Sequence, residues 1–488
     1  MSLPALVVFS VRDSNNEVRY LSFTGPQRQL RCGTEEGVYS DNVNFVVEPA
    51  GDGLVHIRSC YENCYWTRAS RFEAWLLASS PEKVEDMSKD ECTLFRPRMT
   101  AGNVSVGFVH AQSGLNVVMR PSTDAHAYNL CVEPGAPTDF SFLDFAHLSK
   151  TKLPKYVMFL GDNNRYLSPK STLPDWAFLH FAEYDNPTSR DVGFEVFYNK
   201  NGDILRFKSM SLNNFWHVML PGRRVLITPY SSGDMSFDAA VSSPQNASED
   251  GIALRSLTFN QYCHRVSSAE QEYFAGLSTP HTLNAWLRPR YVASPGKGHV
   301  NIESFRNAWK GPKGTRFLKE ELISNSEFQE RETILPTEYQ ARKTTTISNS
   351  FALVKGHPTV FNGQMPSVLA TGELDIPDMA TDVIASWGLS ATINVPTKED
   401  VKIVLPPRSS VRVTLSVNRA TYEVPFSYQQ IDDFPFGGTE TQNLHDGVFK
   451  IESEYRIGVS YNIQQFSSKE GNPEDDIKPN KVVEVNKE

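Results

Sequence analysis

An all-β fold in several domains is what this sequence predicts, and three observations carry that prediction. The 488 residues exceed what one hydrophobic core organises, so three domains are the first expectation, with two or four open. The 30 Pro and 29 Gly signal frequent turns in a chain whose hydrophobic (40%) and charged (22%) fractions are those of an ordinary globular protein. A strand-like segment, GLVHIRSCYENCYW at 53–66, returns as GDILRFKSMSLNNFW at 202–216.

The duplication is wider than that segment. SNNEVRYLSF (14–23) matches DNNRYLSP (162–169), VNFVVEP (43–49) matches VGFEVFY (192–198), and Asn63, Tyr65 and Trp66 fall on Asn213, Phe215 and Trp216. Two tandem modules of about 150 residues follow. Inside the first, a period near 50 relates EVRYLSF, LVHIRSCYENCYW and GFVHAQSGLNVVM, each reading as strand, tight turn, strand, with Asn16, Asn63 and Asn116 at the turns. Three hairpin units per module predict a β-trefoil, a closed arrangement that leaves no exposed sheet edge. Trp66 and Trp216 read as core and Asn63 and Asn213 as turn residues.

The joint between the modules is APTDFSFLDFAHLSKTKLPKY (136–156), where Thr138 or Asp139 is expected to cap a short helix carrying Phe142, Phe145 and Leu148, and Pro154 marks the exit. After about residue 295 the texture changes to long alternating strands. Val411, Val413, Leu415 and Val417 alternate with Arg412, Thr414, Ser416 and Asn418, and a second alternation runs from Phe449 to Ile463. The final SSKEGNPEDDIKPNKVVEVNKE has no period and reads as an acidic, disordered tail. The expected boundaries are therefore 1–138 for the first trefoil, 139–152 for a helical linker, 153–293 for the second trefoil, 294–466 for an elongated domain of long antiparallel strands, and 467–488 for the tail.

Charge and motifs exclude several functions. A net charge of -9 disfavours attraction to nucleic acid, and no nucleic-acid partner is expected. No apolar run reaches 18 residues, so no transmembrane helix is expected, and the N-terminal MSLPALVVFSVRDS lacks the charged leader and cleavage site of a secreted chain. Cys32, Cys60, Cys64, Cys92, Cys131 and Cys263 then read as reduced thiols. Cys60-x3-Cys64 resembles half a zinc site without partners at a zinc spacing, and neither metal nor cofactor is expected. HExxH, GxxxxGK[ST], GxSxG and GxGxxG are all missing, while Glu320 and Glu321 sit in a solvated charge run, so the chain is expected not to be an enzyme.

These residues carry a resemblance. NNEVRYLSF, FVVEPAGDGLVHIRSCYENCYW, ECTLFRP (91–97), FLDFAHLSKTKLPKYVMFLGDNNRYL and KSMSLNNFW make about the first 290 residues similar to amaranthin-type plant lectins, tandem β-trefoils that bind galactose- and N-acetylgalactosamine-containing glycans. ASWGLS (385–390), VKIVLPPRSSVRVTL (401–415) and ATYEVPFSY (420–428) make the following region resemble the aerolysin-like module fused to such lectins in some plants.

The resemblance implies two sites. A sugar is held by the loop after the second hairpin of the first module, here TRASRFEAWLLASS (67–80), which offers Trp75 as a stacking platform and Ser70, Arg71 and Glu73 as polar partners. Phe72 replaces an asparagine of the family and Ala74 an aromatic residue, which leaves the sugar open. The matching loop of the second module, HVMLPGRRV (217–225), places Arg223 near the aromatic position, and His217 and Arg223 are expected to form the other wall of an inter-subunit site. Read without the resemblance, Trp75 equally fits a hydrophobic gap between strands.

The second site is a membrane-inserting hairpin. KTTTISNSFALVKG (343–356) puts Ile347, Phe351 and Leu353 on one face and Thr344, Thr346, Ser348 and Ser350 on the other, as a strand of a shared barrel must. A return strand carrying Leu369 is expected within 367–388, although Asp375, Asp378 and Asp382 argue against all of it crossing lipid. The alternative from the residues alone is an ordinary amphipathic strand.

The expected function is accordingly a galactose/N-acetylgalactosamine-type lectin that docks on glycan-bearing membranes, assembles as a homo-oligomer and completes a β-barrel pore in plant defence. Its site of synthesis would be the cytoplasm or nucleocytoplasm of a plant cell. The alternative is an agglutinin whose long-stranded module serves only oligomerisation.

Overall fold

The computed structural model describes residues 3–465 except 101, 103, 174–175, 182–186, 200, 220–223, 228–236, 243–250, 259, 269–270, 277–286 and 293–297. The acidic tail expected at 467–488 lies outside the described residues.

Six strands of the first module pair around a closed ring. They are β1 (Leu6–Arg12), β4 (Asn44–Pro49), β5 (Val55–Ser59), β8 (Phe95–Met99), β9 (Ser105–His110) and β12 (Phe140–Asp144), each antiparallel to the next, with β12 and β4 both returning to β1. Three hairpins cap the ring: β2 (Val18–Thr24) with β3 (Gln29–Gly33), β6 (Tyr65–Arg68) with β7 (Leu76–Ser80), and β10 (Asn116–Met119) with β11 (Leu130–Glu133). This is the β-trefoil. Its ring is filled by Phe9, Phe45, Phe95, Phe108, Phe140 and Trp66, all fully buried, with ring centroids 5.5–6.2 Å apart in the contacts they make.

The second module repeats the plan. β13 (Tyr156–Leu160), β16 (Phe194–Tyr198), β17 (Leu205–Ser209), β20 (Ala239–Ser242), β21 (Ala253–Ser256) and β24 (Arg288–Tyr291) form its ring, closed between the last two by the bridge Ile252↔Leu287. Its hairpins are β14 (Leu167–Leu173) with β15 (Trp176–Phe181), β18 (Trp216–Met219) with β19 (Arg224–Ile227), and β22 (Gln261–Ser268) with β23 (Gln271–Gly276). Trp216 takes the place of Trp66, 4.9 Å from Phe194 and 4.5 Å from Phe207.

Positive φ at Asn16 (63°), Asn63 (53°), Asn164 (60°) and Asn213 (58°) gives a reason for asparagine at equivalent turns of both copies, since its short side chain tolerates the left-handed region. Asn116 departs from expectation. It begins β10, and the left-handed position of that turn is Gly114 at 68°.

The joint also differs. Residues 140–144 form β12 and close the first ring, so the first module runs past 138. One helical turn, α1 (Phe145–Leu148), follows, capped by Asp144, whose carboxylate accepts from His147 N at 3.2 Å, rather than by Thr138 or Asp139. Pairing in the ring wins over helical spacing, and it buries Phe140, opposite Val106 of β9, completely.

The third region holds the long strands. β25 (His299–Phe305), β26 (Trp309–Asn325), β27 (Arg331–Ser348), β28 (Pro358–Gly363), the short β29 (Ser367–Val368) and β30 (Leu374–Asp375), β31 (Thr381–Ser386), β32 (Ser390–Leu405), β33 (Ser409–Asp433) and β34 (Thr439–Gln465) follow in order. At one end the sheet order is β31-β28-β25-β33-β34-β27-β32. At the other, β27 has left β34, and the β27–β32 ribbon packs Leu335, Val401, Ile403 and Leu405 against Val411, Val413, Leu415 and Ile457 of β33 and β34, with β26 extending that second layer. The expected Val411-to-Val417 alternation is the inner face of this two-layer end.

The modules are docked through polar and aromatic contacts. Arg58, 4% exposed, reaches Glu48 of its own trefoil and Glu423 of β33, each at 3.1 Å, and lies 4.4 Å over the Trp309 ring. The Asn63 amide donates to Asn307 O at 3.1 Å and Glu423 O at 2.9 Å, and Trp309 Nε1 donates to Tyr65 Oη at 2.8 Å. On the second trefoil, Lys155 pairs with Glu440 at 2.6 Å and Tyr156 meets Phe434 at 5.1 Å.

Candidate functional site

The loop between β6 and β7 is built by short-range bonds. Ala69 N donates to Trp75 O at 2.9 Å, closing the loop, and the Ser70 hydroxyl accepts from Phe72 N and Glu73 N at 3.2 and 3.0 Å. Arg71 turns back to Asp90 at 2.8 Å, Phe72 is 97% exposed and Glu73 is exposed. Ser70 to Glu73 therefore form one tip.

Trp75 stands at the base of the loop, half-buried, in a bridge with Cys131, while Val132 N donates to Ala74 O. Its ring meets His126 edge-on at 5.0 Å and lies 5.9 Å from the Arg120 guanidinium, which pairs with Glu133 at 2.8 Å. The β10–β11 hairpin thus brings His126, Arg120 and Glu133 to the indole. Sequence reasoning missed these three because they lie some fifty residues from Trp75. The threefold repeat of hairpins was the signal that could have found them. A half-buried indole beside fixed donors and acceptors offers one apolar face and a polar rim, which is what a pyranose needs.

The second module's expected wall is corrected in part. His217 is only 5% exposed, within β18 and opposite Leu226, so it presents no surface to another subunit. It follows Trp216 in a strand whose residues 216–218 are all buried. Arg223 lies outside the described residues.

The membrane-hairpin residues fall on several elements. Thr344, Thr346, Ile347 and Ser348 end β27, with the Thr344 and Thr346 hydroxyls facing those of Thr392 and Ser390 at 2.9 and 2.7 Å. Ile347 is 5% exposed in a core with Val354, Phe361 and Trp387, and Phe351 packs against it. Leu353 lies in a single 3-10 turn (Ala352–Val354). Leu369 is a correction: it sits in the turn between β29 and β30, 44% exposed, and not on a long return strand. In this state the segment after Ser348 folds back, and β28 with β31 forms a separate hairpin beside β25.

Where β27 ends, all three regions meet. Lys152, 8% exposed, donates to Ser350 Oγ at 2.8 Å and lies 4.2 Å from the Phe351 ring and 5.4 Å from the Tyr39 ring. Asp446 of β34 accepts from Ser350 N at 3.0 Å, from the Ser350 hydroxyl, and from Tyr428 Oη at 3.0 Å. Burial, with Asp446 nearby, pushes the Asp41 carboxyl up to about 6 despite Lys152, His445 and Arg306. Elsewhere, burial raises the thiols of Cys32 and Cys263 to about 12, so neither is a thiolate at neutral pH.

Residues 2–120 match the family model described as Agglutinin domain. Comparison with curated proteins gave no match. Among solved structures, the chain is similar to the hemolytic lectin CEL-III (11% identity, 93% of each chain covered, TM-score 0.30). It is also similar to ThreeFoil, a designed protein of threefold symmetry (11% identity, 28% of this chain and 98% of that one, TM-score 0.24), and to a mosquitocidal holotoxin (9% identity, 62% and 36%, TM-score 0.27). The strand pairings, rather than these likenesses, establish the two trefoils. With its closed ring, its capping hairpins and the family match over residues 2–120, the N-terminal module carries an Agglutinin domain.

Proposed function

We propose that this protein is a lectin for galactose/N-acetylgalactosamine-type glycans that docks on glycan-bearing membranes, assembles with further copies of itself, and completes a β-barrel pore, with plant defence as its setting. One observation carries the pore. β27 and β32 are antiparallel partners from Arg331↔Leu405 to Thr346↔Ser390, where the ladder stops and residues 347–389 fold back.

Continuing the same register pairs Ile347 with Leu389, Phe351 with Ala385 and Leu353 with Val383. Residues 347–355 and 381–389 then become two arms, each close to the roughly 9–11 residues of a crossing strand. One face carries Ile347, Phe351, Leu353, Val383, Ala385, Trp387 and Leu389, with Asn349 a polar exception and the pair Lys355 and Thr381 at the far end, where the arms join the connecting segment. The other carries Ser348, Ser350, Asp382, Ser386 and Gly388, along with Val354 and Ile384. Asp382 faces water in this register, and Asp375 and Asp378 stay in the connecting segment, which removes the objection those aspartates raised.

The test is dye leakage from vesicles displaying N-acetylgalactosamine, with a polarity-sensitive fluorophore placed at position 351 or 350. Leakage with a blue shift at 351 and none at 350 is expected. Binding without leakage would leave the agglutinin reading, in which the long-stranded region only assembles subunits.

A further inference from the structure

Where β27 parts from β34, the strands enclose a polar cleft of about 300 Å³ that the glycan and pore readings leave unused. Register explains its lining. Thr344 pairs with both Glu452 and Thr392, Arg342 pairs with Asn394, and Arg419 pairs with Glu454. The two-residue period of a strand thus brings Arg342, Thr344, Thr392, Arg419, Glu452 and Glu454 to one face. An irregularity in β26 between Pro312 and Thr315 adds Lys313 to the lining, and Arg316 stands beside it.

The carboxylates there are already occupied. Glu454, 4% exposed, accepts two bonds from Arg316 at 2.7 Å and one from Arg342 N at 3.0 Å; although burial opposes it, Arg316 holds its carboxyl below the ordinary value. Glu452 pairs with Lys313 at 2.5 Å. Two guanidinium groups remain. Arg419 comes no nearer to a carboxylate than 3.9 Å, and the Arg342 side chain has no ion pair among the described residues. Beside them, the Thr344 and Thr392 hydroxyls bond each other at 2.9 Å, which uses one of their protons and leaves the second to donate outward.

We propose that this cleft is an anion site for a phosphate or sulfate ester, held by the Arg342 and Arg419 guanidinium groups with a threonine hydroxyl. Guanidinium forks match the paired oxygens of a tetrahedral oxyanion, and a third donor from another direction suits such an anion better than a planar carboxylate. The lining carries three cations against two carboxylates, with Arg316 a fourth cation beside it, so the local field attracts an anion although the whole chain is acidic. Because the cleft lies beside the last rungs of the β27–β32 ladder, occupancy would also clamp β27 to β33 across β34.

The test uses the full chain and three probes: inorganic phosphate and inorganic sulfate by calorimetry, and phosphatidylcholine vesicles with or without a monophosphorylated phosphoinositide by co-sedimentation. Arg342→Ala and Arg419→Ala should each weaken binding by about tenfold or more, as loss of a charge-assisted hydrogen bond does. Arg342→Lys should recover part of it. Lys398→Ala removes an equal charge from an exposed ion pair with Glu338 and should change nothing. Melting curves confirm that each variant is folded. Binding of the free anions alone assigns a soluble ester, and added retention on the phosphoinositide vesicles assigns a headgroup. No binding by the wild-type chain, or equal losses in Lys398→Ala and the arginine variants, overturns the site.

Discussion

Trp66 on β6 and Trp75 just before β7 stand at the two ends of one loop, and their surroundings give them opposite tasks. Trp66 is fully buried among Phe9, Phe45, Phe95 and Phe108, so Trp66→Ala opens a cavity and should destabilise the first trefoil by about 3–5 kcal/mol in urea titration. Trp75 is half-buried beside His126 and Arg120, so Trp75→Ala should abolish retention on immobilised N-acetylgalactosamine while the unfolding midpoint moves little. Asn63 and Asn213 give the matching contrast. Both occupy the left-handed region, and replacing either by Ala should cost about 1–2 kcal/mol for that conformation. Asn63 also bonds Asn307 O and Glu423 O, so Asn63→Gly, which keeps the turn, should still loosen the first trefoil from the third region, as read by faster proteolysis between them; Asn213→Gly should not. The turn role of both asparagines was legible in the repeat. The docking role of Asn63 was not, because its acceptors lie more than 240 positions away.

At the scale of elements, alternation located the long strands, since Val411 to Val417 must hide one face whatever the partner is. Two other assignments turned on partners that no local pattern names. Phe142 and Phe145 have helical spacing, yet residues 140–144 complete a ring with β1, and the ladder of β27 with β32 joins segments separated by a folded excursion of some forty residues. A carboxyl at the junction that holds the excursion titrates. Burial raises Asp41 to about 6, so the docked junction binds a proton more tightly than a released one whose carboxyl returns to 3.8. For a raised acid, the contribution is complete below about 4 and is lost as pH rises through 6. Among the charges facing it, Asp446 sharpens this loss and Lys152, His445 and Arg306 soften it. Protection of the Ser350–Val354 amides in hydrogen exchange should therefore fall between pH 4 and pH 7, and Asp41→Asn should flatten that dependence and keep the protection high at pH 7.

Across the whole molecule, the two trefoils do more than present loops, because they hold the third region in its folded-back state. Lys152, in the linker that joins them, is the point where this restraint is concentrated: its amine bonds Ser350 and faces the Phe351 ring, the first residues of the segment that the extended register would turn into a crossing arm. Burial lowers the Lys152 pKa, and Asp446 and Asp41 oppose that shift. Removing the amine leaves Asp446 with Ser350 and Tyr428 but frees Phe351 from its cation. Lys152→Ala should therefore shorten the lag before dye leaves glycan-bearing vesicles while leaving glycan retention unchanged, because Trp75 and its neighbours are in another part of the first trefoil. Lys152→Arg, which preserves the charge, should restore most of the lag. A lag identical in all three chains would show that the junction does not restrain the segment, and the pore reading would then need its barrier elsewhere in the fold.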